Sequence, residues 1–76
     1  MTLNELPLNK TGIVLELNCN TSIKRRFLDL GLVPGTSITP VFKSPFGDPI
    51  AFEFRNTIFS IRNDDCILIK IKKDVN

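Results

Sequence analysis

Two cysteines, Cys19 and Cys66, are the side chains best suited to redox or metal chemistry in this chain, which contains no histidine. Histidine is the commonest general base and the commonest protein metal ligand, and Fe(II) sites combine it with carboxylates. The two cysteines lie far apart in the sequence and form no C-x-x-C pair, and the acidic residues show no ligand spacing. We therefore predict no catalytic residue, no cofactor and no metal site, and interpret both cysteines as reduced residues of the core or its rim.

Recognition of acidic groups is the second kind of chemistry that the sequence offers. Arg25 and Arg26 are adjacent, and arginine makes bidentate contacts with carboxylates and is enriched at protein interfaces. Two interpretations remain open. Both side chains are solvated on the outer face of a helix, or they contact an acidic patch on a partner.

A third candidate is an aromatic residue, Phe46, in the segment Ser44–Pro49. Pro45 and Pro49 both fix φ, so the turn is stiff. Phe46 either packs onto the end of the domain or presents a preorganised anchor to a partner, because a stiff loop loses little entropy on binding. We expect Asp48 to bond its own backbone within the turn.

One helix is predicted to carry the two arginines. Its apolar residues recur at i, i+4 and i+7; they are Ile23, Phe27 and Leu30. Thr21 and Ser22 are the expected caps at its start, Gly31 suits a left-handed residue at its end, and Pro34 forbids its continuation. Val33, beside the Pro-Gly turn, is an exposed apolar candidate for an interface.

The rest of the chain reads as strands and turns. The predicted strands are Gly12–Leu17, Thr36–Lys43, Ile50–Arg55, Thr57–Arg62 and Cys66–Lys73. The first and last should place Ile13, Leu15, Leu17 and Ile67, Ile69, Ile71 on common faces. We predict a β-bulge at Pro40–Val41, a tight turn with positive φ at Asn56, and an extended lead-in at Leu3–Leu8. Five short strands and one helix favour a small closed β-barrel, which would leave no free sheet edge.

The composition limits the possible functions. The 76 residues suffice for one domain, residues 1–76, and the net charge of +2 is too small for a dedicated nucleic-acid binder. Six Phe with no Trp and no Tyr argue against a groove for Pro-x-x-Pro peptides. The N-terminal segment lacks the apolar run of a signal peptide, and no segment is apolar enough to insert in a membrane. We expect a cytoplasmic protein.

Three motifs in order resemble the ferrous iron transport protein A (FeoA) family. They are Arg26–Thr36 (RFLDLGLVPGT), Pro45–Ile50 (PFGDPI) and Ile58–Arg62 (IFSIR), followed by an apolar strand. The resemblance implies a mainly β, five-stranded SH3-like barrel with one short helix between the first two strands. It also implies that the protein accompanies the membrane Fe(II) transporter FeoB, with the cytosolic G domain of FeoB as the expected partner, and that it is not an enzyme.

The resulting prediction is a cytosolic protein-interaction module that docks on FeoB and modulates it. The predicted partner-binding residues are Arg25, Arg26, Val33, Pro34, Pro45, Phe46 and Asp48. The alternative is a small barrel that binds nucleic acid or belongs to an iron-dependent transcriptional repressor, since the same module occurs in such repressors. Phe52 and Phe54 disfavour nucleic-acid binding, because they alternate with Ile50 on the predicted core face instead of lying exposed among basic residues.

Overall fold

Five antiparallel strands form one sheet in the computed structural model, which describes residues 1–74. The strands are β1 (Gly12–Leu17), β2 (Ser37–Lys43), β3 (Ile50–Phe54), β4 (Thr57–Ile61) and β5 (Ile69–Lys73). Helix α1 (Thr21–Asp29) connects β1 to β2, as predicted, and a short helix α2 (Asn63–Cys66) connects β4 to β5. A 3₁₀ turn at Leu3–Glu5 precedes β1, where an extended lead-in was expected.

The predicted closure of the barrel is wrong. The strand order is β4-β3-β2-β1-β5, so that among residues 1–74 β4 pairs only with β3, while β5 pairs with β1 and forms one isolated bridge, from Lys70 to Thr2. Helical segments cover the opening instead of a further strand pair. Phe27 of α1 and Cys66 of α2 both belong to the buried core, and α1 faces β4 across a cavity. Within residues 1–74 the outer edge of β4 therefore remains free, whereas the outer edge of β5 bonds to the N-terminal residues, with the Ile71 amide donating to the Met1 carbonyl oxygen at 2.9 Å.

The core lies between the inner face of this sheet and the helical segments. Fully buried apolar members come from the 3₁₀ turn, from four of the strands, from the turn after α1 and from α2; they are Leu3, Val14, Leu32, Ile38, Phe52, Cys66, Ile69 and Ile71. Leu32, just past α1, has no exposed surface, as expected for an apolar residue that folds back onto the end of a helix. Phe59 packs against this cluster and against Phe54, with the two ring centroids 6.3 Å apart.

The expected bulge in β2 is confirmed. The pairing of β2 with β3 shifts register between Pro40 and Phe42. Pro40 is fully buried, Val41 is half-buried, and Phe42 turns outward with 60% of its surface exposed. The bulge thereby moves a large aromatic ring to the outer face of the sheet.

A second bulge, in β1, was not predicted. The pairing of β1 with β5 shifts register between Val14 and Glu16. The extra residue brings both Val14 and Leu17 into the core and leaves Leu15 exposed. The predicted common face of Ile13, Leu15 and Leu17 is therefore wrong, since strict alternation does not hold across a bulge.

The last strand begins later than predicted, at Ile69 rather than Cys66. Residues 63–66 form α2 because the carbonyl oxygen of Arg62 accepts from the amides of Asp65 and Cys66, which closes a helical turn. Ile67 consequently lies exposed beyond the turn, instead of facing inward with Ile69 and Ile71. The tight turn after β3 is confirmed, with positive φ at Arg55 as well as at Asn56.

We expect Phe52→Ala to lower the free energy of unfolding by about 3–5 kcal/mol, because it removes a fully buried ring from the core. Phe42→Ala is the matched control on the neighbouring strand, where the ring is largely exposed, and should cost well under half as much. Urea denaturation of the two variants measures both values. Equal losses of unfolding free energy would contradict the assignment of Phe52 to the core face and of Phe42 to the outer face of the sheet.

Candidate partner-binding surface

Helix α1 begins at a side-chain cap that sequence analysis placed one residue too late. The Asn20 side-chain oxygen accepts a hydrogen bond from the Ile23 amide at 3.0 Å, so Asn20 is the cap rather than Thr21 or Ser22. This start fixes the rotation of the helix, with Phe27 buried and Ile23 half-buried. The orientation of the two arginines follows from it.

The structure places Arg25 and Arg26 on different sides of α1. Arg25 lies with Lys24 and Leu28 on the exposed side of the helix. Arg26 instead lines a cavity between α1 and β4, with Phe59 and Arg62 among the other lining residues. The pair is therefore not one continuous basic patch.

The turn after α1 holds Val33 and Pro34 at the surface. Gly31 has φ +93°, and the Thr36 hydroxyl donates to its carbonyl oxygen at 3.2 Å. The same hydroxyl oxygen accepts from the Val33 amide at 3.2 Å, so one buried side chain fixes both ends of this short segment. Val33 is 36% exposed.

Arg55 is a surface residue near this turn that sequence analysis missed. A Cβ atom at Gly31 would lie 2.8 Å from its Cδ atom, so the arginine side chain lies directly over that glycine. Arg55 also lines a shallow depression together with Val33 and Pro34. The sequence signal was present, because a glycine in a turn also permits close approach of another chain segment.

The Ser44–Pro49 turn presents Phe46 with 97% of its surface exposed. Of the two interpretations left open for this ring, packing against the domain is wrong. Pro45 is exposed beside it. The Ser44 hydroxyl donates to the Pro49 carbonyl oxygen at 2.9 Å, and the Gly47 amide donates to the Ser44 carbonyl oxygen at 2.8 Å. The turn is held by its own hydrogen bonds.

Asp48 connects this turn to α2. Its Oδ1 atom accepts from the Asn63 backbone amide at 2.9 Å, and the Asn63 side-chain amide donates to the Gly47 carbonyl oxygen at 3.1 Å. The expected bond of Asp48 to its own turn is therefore wrong. Its carboxylate instead satisfies an amide in the first turn of α2, and the two bonds donated by Asn63 brace the loop against the body of the domain.

Phe42 and Ile58 add apolar area to the outer face of β2, β3 and β4. In the strand register Phe42 is opposite Ala51, and Ala51 is opposite Ser60, which shares a face with Ile58. Ile58 is 64% exposed. The exposure of Phe42 does not follow from strand alternation, because its outward direction depends on the bulge.

Cys66 lies in the core and the half-buried Cys19 packs against it, which confirms the predicted positions of the two cysteines in the core and its rim. Cys66 is fully buried, and burial raises the pKa of its thiol to about 12. Burial also raises the pKa of the half-buried Cys19 thiol. Residues 1–74 contain no group of three or more His, Cys, Asp and Glu side chains positioned to hold a metal ion.

These observations define a class: a mainly β protein with one curved five-stranded antiparallel sheet, one longer helix and an exposed aromatic on a braced turn. No helix within residues 1–74 is long and apolar enough to cross a membrane. The FeoA domain model matches residues 1–73, and the chain belongs to the FeoA family, which is associated with Fe(II) transport.

Two solved FeoA structures are similar to the chain. FeoA from Chlorobium tepidum is 27% identical with a TM-score of 0.92, over 96% of this chain and 70% of that one. FeoA from Stenotrophomonas maltophilia, solved with zinc and described as a prokaryotic SH3 domain protein, is 33% identical with a TM-score of 0.79, over 95% and 89%.

A curated relative joins this kind of domain to a transporter. The FeoA/FeoB fusion protein of Porphyromonas gingivalis is 26% identical over 72 residues. The match covers 95% of this chain but only 8% of the fusion protein. It supports a link between the FeoA family and FeoB.

Removal of the Asp48 brace should loosen the Phe46 turn without unfolding the domain. We expect Asp48→Ala to cost about 1 kcal/mol, the usual contribution of one helix-capping hydrogen bond, and to speed amide exchange at Phe46 and Gly47. The matched control is Asp64→Ala, which removes an exposed carboxylate from the first turn of α2 but none from the loop. Unchanged exchange in Asp48→Ala would show that the brace does not restrain the loop.

The buried Cys66 thiol predicts a loss of stability at alkaline pH. Its pKa is raised from 9.0 to about 12 in the folded state, so the unfolded chain releases its proton first. Stability from this residue is complete below pH 9 and falls as the pH rises toward 12. Urea denaturation between about pH 8 and pH 11 should show a shallower decline of the free energy of unfolding in Cys66→Ala than in the unmodified protein. Parallel curves would contradict the assignment.

Proposed function

We propose that this protein is a cytosolic interaction module of Fe(II) uptake that docks on a FeoB-type transporter and modulates it. The observation that carries the proposal is the FeoA/FeoB fusion of Porphyromonas gingivalis, in which a related domain and FeoB are parts of one polypeptide. Fusion keeps two units at a high effective concentration, which suits partners that act together. The expectation of a cytosolic partner domain rests on the family resemblance.

The Phe46 turn supports docking because it presents an aromatic ring at little entropic cost. The ring is almost fully exposed, and the turn beneath it is fixed by Pro45 and by the hydrogen bond that Asp48 accepts from the Asn63 amide. Interface energy is concentrated in a few well-packed residues, aromatic ones prominent among them. We assign Phe46 the role of anchor, Pro45 that of its rigid neighbour, and Asp48 that of a positioning residue.

The remaining predicted contacts lie around α1. Arg25 is exposed and suits a carboxylate at the rim of an interface, while Val33 and Pro34, in the turn that follows α1, supply a small apolar contact. Arg26 lines the cavity toward β4, so it belongs to a different surface from Arg25. We therefore assign the larger contribution to docking on FeoB to Phe46 and the smaller one to the residues around α1.

A module that binds FeoB changes its activity only by preferring one state. Modulation requires different affinities for the two nucleotide states of the G domain, since equal affinity shifts no equilibrium. The test is a binding titration against the purified cytosolic G domain of the FeoB from the same cell, loaded with GDP or with a non-hydrolysable GTP analogue. We expect saturable binding with unequal Kd values. Equal values would indicate a scaffold, and absence of binding at high concentration would overturn the assignment of the G domain.

Variants then measure the contributions of Phe46 and of the two arginines on α1 separately. We expect Phe46→Ala to weaken binding by about 30-fold, the equivalent of a 2 kcal/mol hot spot. Leu15→Ala, which trims an exposed apolar residue on β1, is the matched control and should bind as the unmodified protein does. Reversal of both Arg25 and Arg26 to Glu should weaken binding more at low salt than at high salt. Full affinity in Phe46→Ala would exclude this turn as the anchor.

A further inference from the structure

The outer edge of β4 is the feature that the proposed function leaves unused. The β3–β4 hairpin has a two-residue turn in which Arg55 and Asn56 both have positive φ, the geometry of a type I′ turn. In such a hairpin the flanking residues, Phe54 and Thr57, form a hydrogen-bonded pair. From this pair onward, non-hydrogen-bonded and hydrogen-bonded pairs alternate along the two strands. The backbone N–H and C=O groups of Ile58 and Ser60 therefore point away from β3, toward the free edge.

The position of Pro40 supports this alternation. Phe52 pairs with Phe59 on one side and with Pro40 on the other. Because the backbone N–H and C=O groups of Phe52 face β4, the backbone of Pro40 makes no ladder hydrogen bonds to β3. The missing N–H of proline therefore costs this strand pair no hydrogen bond. The Pro40 carbonyl oxygen does accept from the Asn9 amide at 2.7 Å, on the side away from β3.

This edge opens onto a groove. A cavity of ≈ 160 Å³ lies between β4 and α1, lined on the strand side by Phe59 and Ser60 and on the helix side by Arg26. Ser60 is exposed. Natural sheets protect such edges with Lys, Pro or bulges, whereas the sequence of β4 is Thr-Ile-Phe-Ser-Ile and its pairing with β3 has no register shift.

The charges at the groove indicate what binds there. Its ionisable lining consists of two guanidinium groups, Arg26 and Arg62, and one carboxylate, Asp65. A second copy of this chain paired through β4 would bring four guanidinium groups and only two carboxylates together, which disfavours a dimer. An extended segment with acidic side chains satisfies both the edge and the arginines.

We propose that the β4 edge receives an extended, acidic segment of a partner protein as a sixth strand. Main-chain hydrogen bonds to Ile58 and Ser60 would supply affinity, and pairing of its carboxylates with Arg26 and Arg62 would supply selectivity. The proposal goes beyond the proposed function, because it concerns a second surface and does not require the partner to be FeoB. Failure of the G-domain titration leaves it unaffected.

The test uses a capped heptapeptide of alternating Val and Glu as the probe and the full chain as the receptor. In NMR titrations we expect saturable shifts and at least about tenfold slower amide exchange at Ile58 and Ser60, as for amides newly placed in a ladder. The same peptide N-methylated at alternate residues lacks half of its donors and should not bind. A peptide with Lys in place of Glu should bind several-fold more weakly.

Protein variants complete the test. Ser60→Pro removes an edge donor that does not serve the β3 ladder, and proline is tolerated where the N–H faces outward. We expect it to weaken peptide binding about tenfold, the effect of one lost hydrogen bond. Ser60→Thr, which keeps the N–H, should bind normally. Joint reversal of Arg26 and Arg62 to Glu should abolish the preference for Glu over Lys.

Three results would overturn the proposal. These are equal binding of the N-methylated and unmodified peptides, absence of shifts at millimolar peptide, and protection of Ile58 and Ser60 by self-association without peptide. The peptide comparison uses the unmodified protein, so it decides the question even if Ser60→Pro fails to fold.

Discussion

The open side of the sheet is the constraint on which the rest of this structure depends. Five short strands cannot enclose a core when the outer two are not paired, so residues from helical segments must complete it. Phe27 from α1, Leu32 from the turn after it and Cys66 from α2 supply the missing apolar surface. The helices are therefore structural parts of the core, and their polar sides are the surfaces left for recognition.

Because α1 covers the opening, its rotation decides which side chains remain outside. The Asn20 cap and the burial of Phe27 together place Arg25 outward and Arg26 toward β4. Two adjacent residues of the same type thus serve different environments. Their separation follows from the helical repeat of about 3.6 residues, in which neighbours point about 100° apart.

The sequence was sufficient for the regular parts of the fold and insufficient where one residue breaks a pattern. The position of α1, the bulge at Pro40 and the positive φ at Asn56 follow from local chemistry, and all three are present. The β1 bulge has no Pro or Gly within it to reveal it, since it depends on pairing with β5, a strand distant in the sequence. Closure failed for the same reason, because it is decided by packing of the helices.

The candidate surface was predictable to a similar degree. Phe46 was identified because two prolines stiffen a short turn, a property of the residues themselves. The long-range bond from Asp48 to Asn63 and the position of Arg55 over Gly31 were not, because each joins parts of the chain that only the fold brings together.

The two proposed recognition surfaces meet at the start of α2. Asn63 holds the Phe46 turn through Asp48 and Gly47, and its neighbour Arg62 lines the groove beside β4. A ligand that fixes the Arg62 side chain therefore acts one residue away from the brace that orders the loop. Coupling between sites needs a physical connection through groups that both sites contact. The backbone between Arg62 and Asn63 is that connection, so a strand added at β4 and a partner held by Phe46 would each restrain the same short helix.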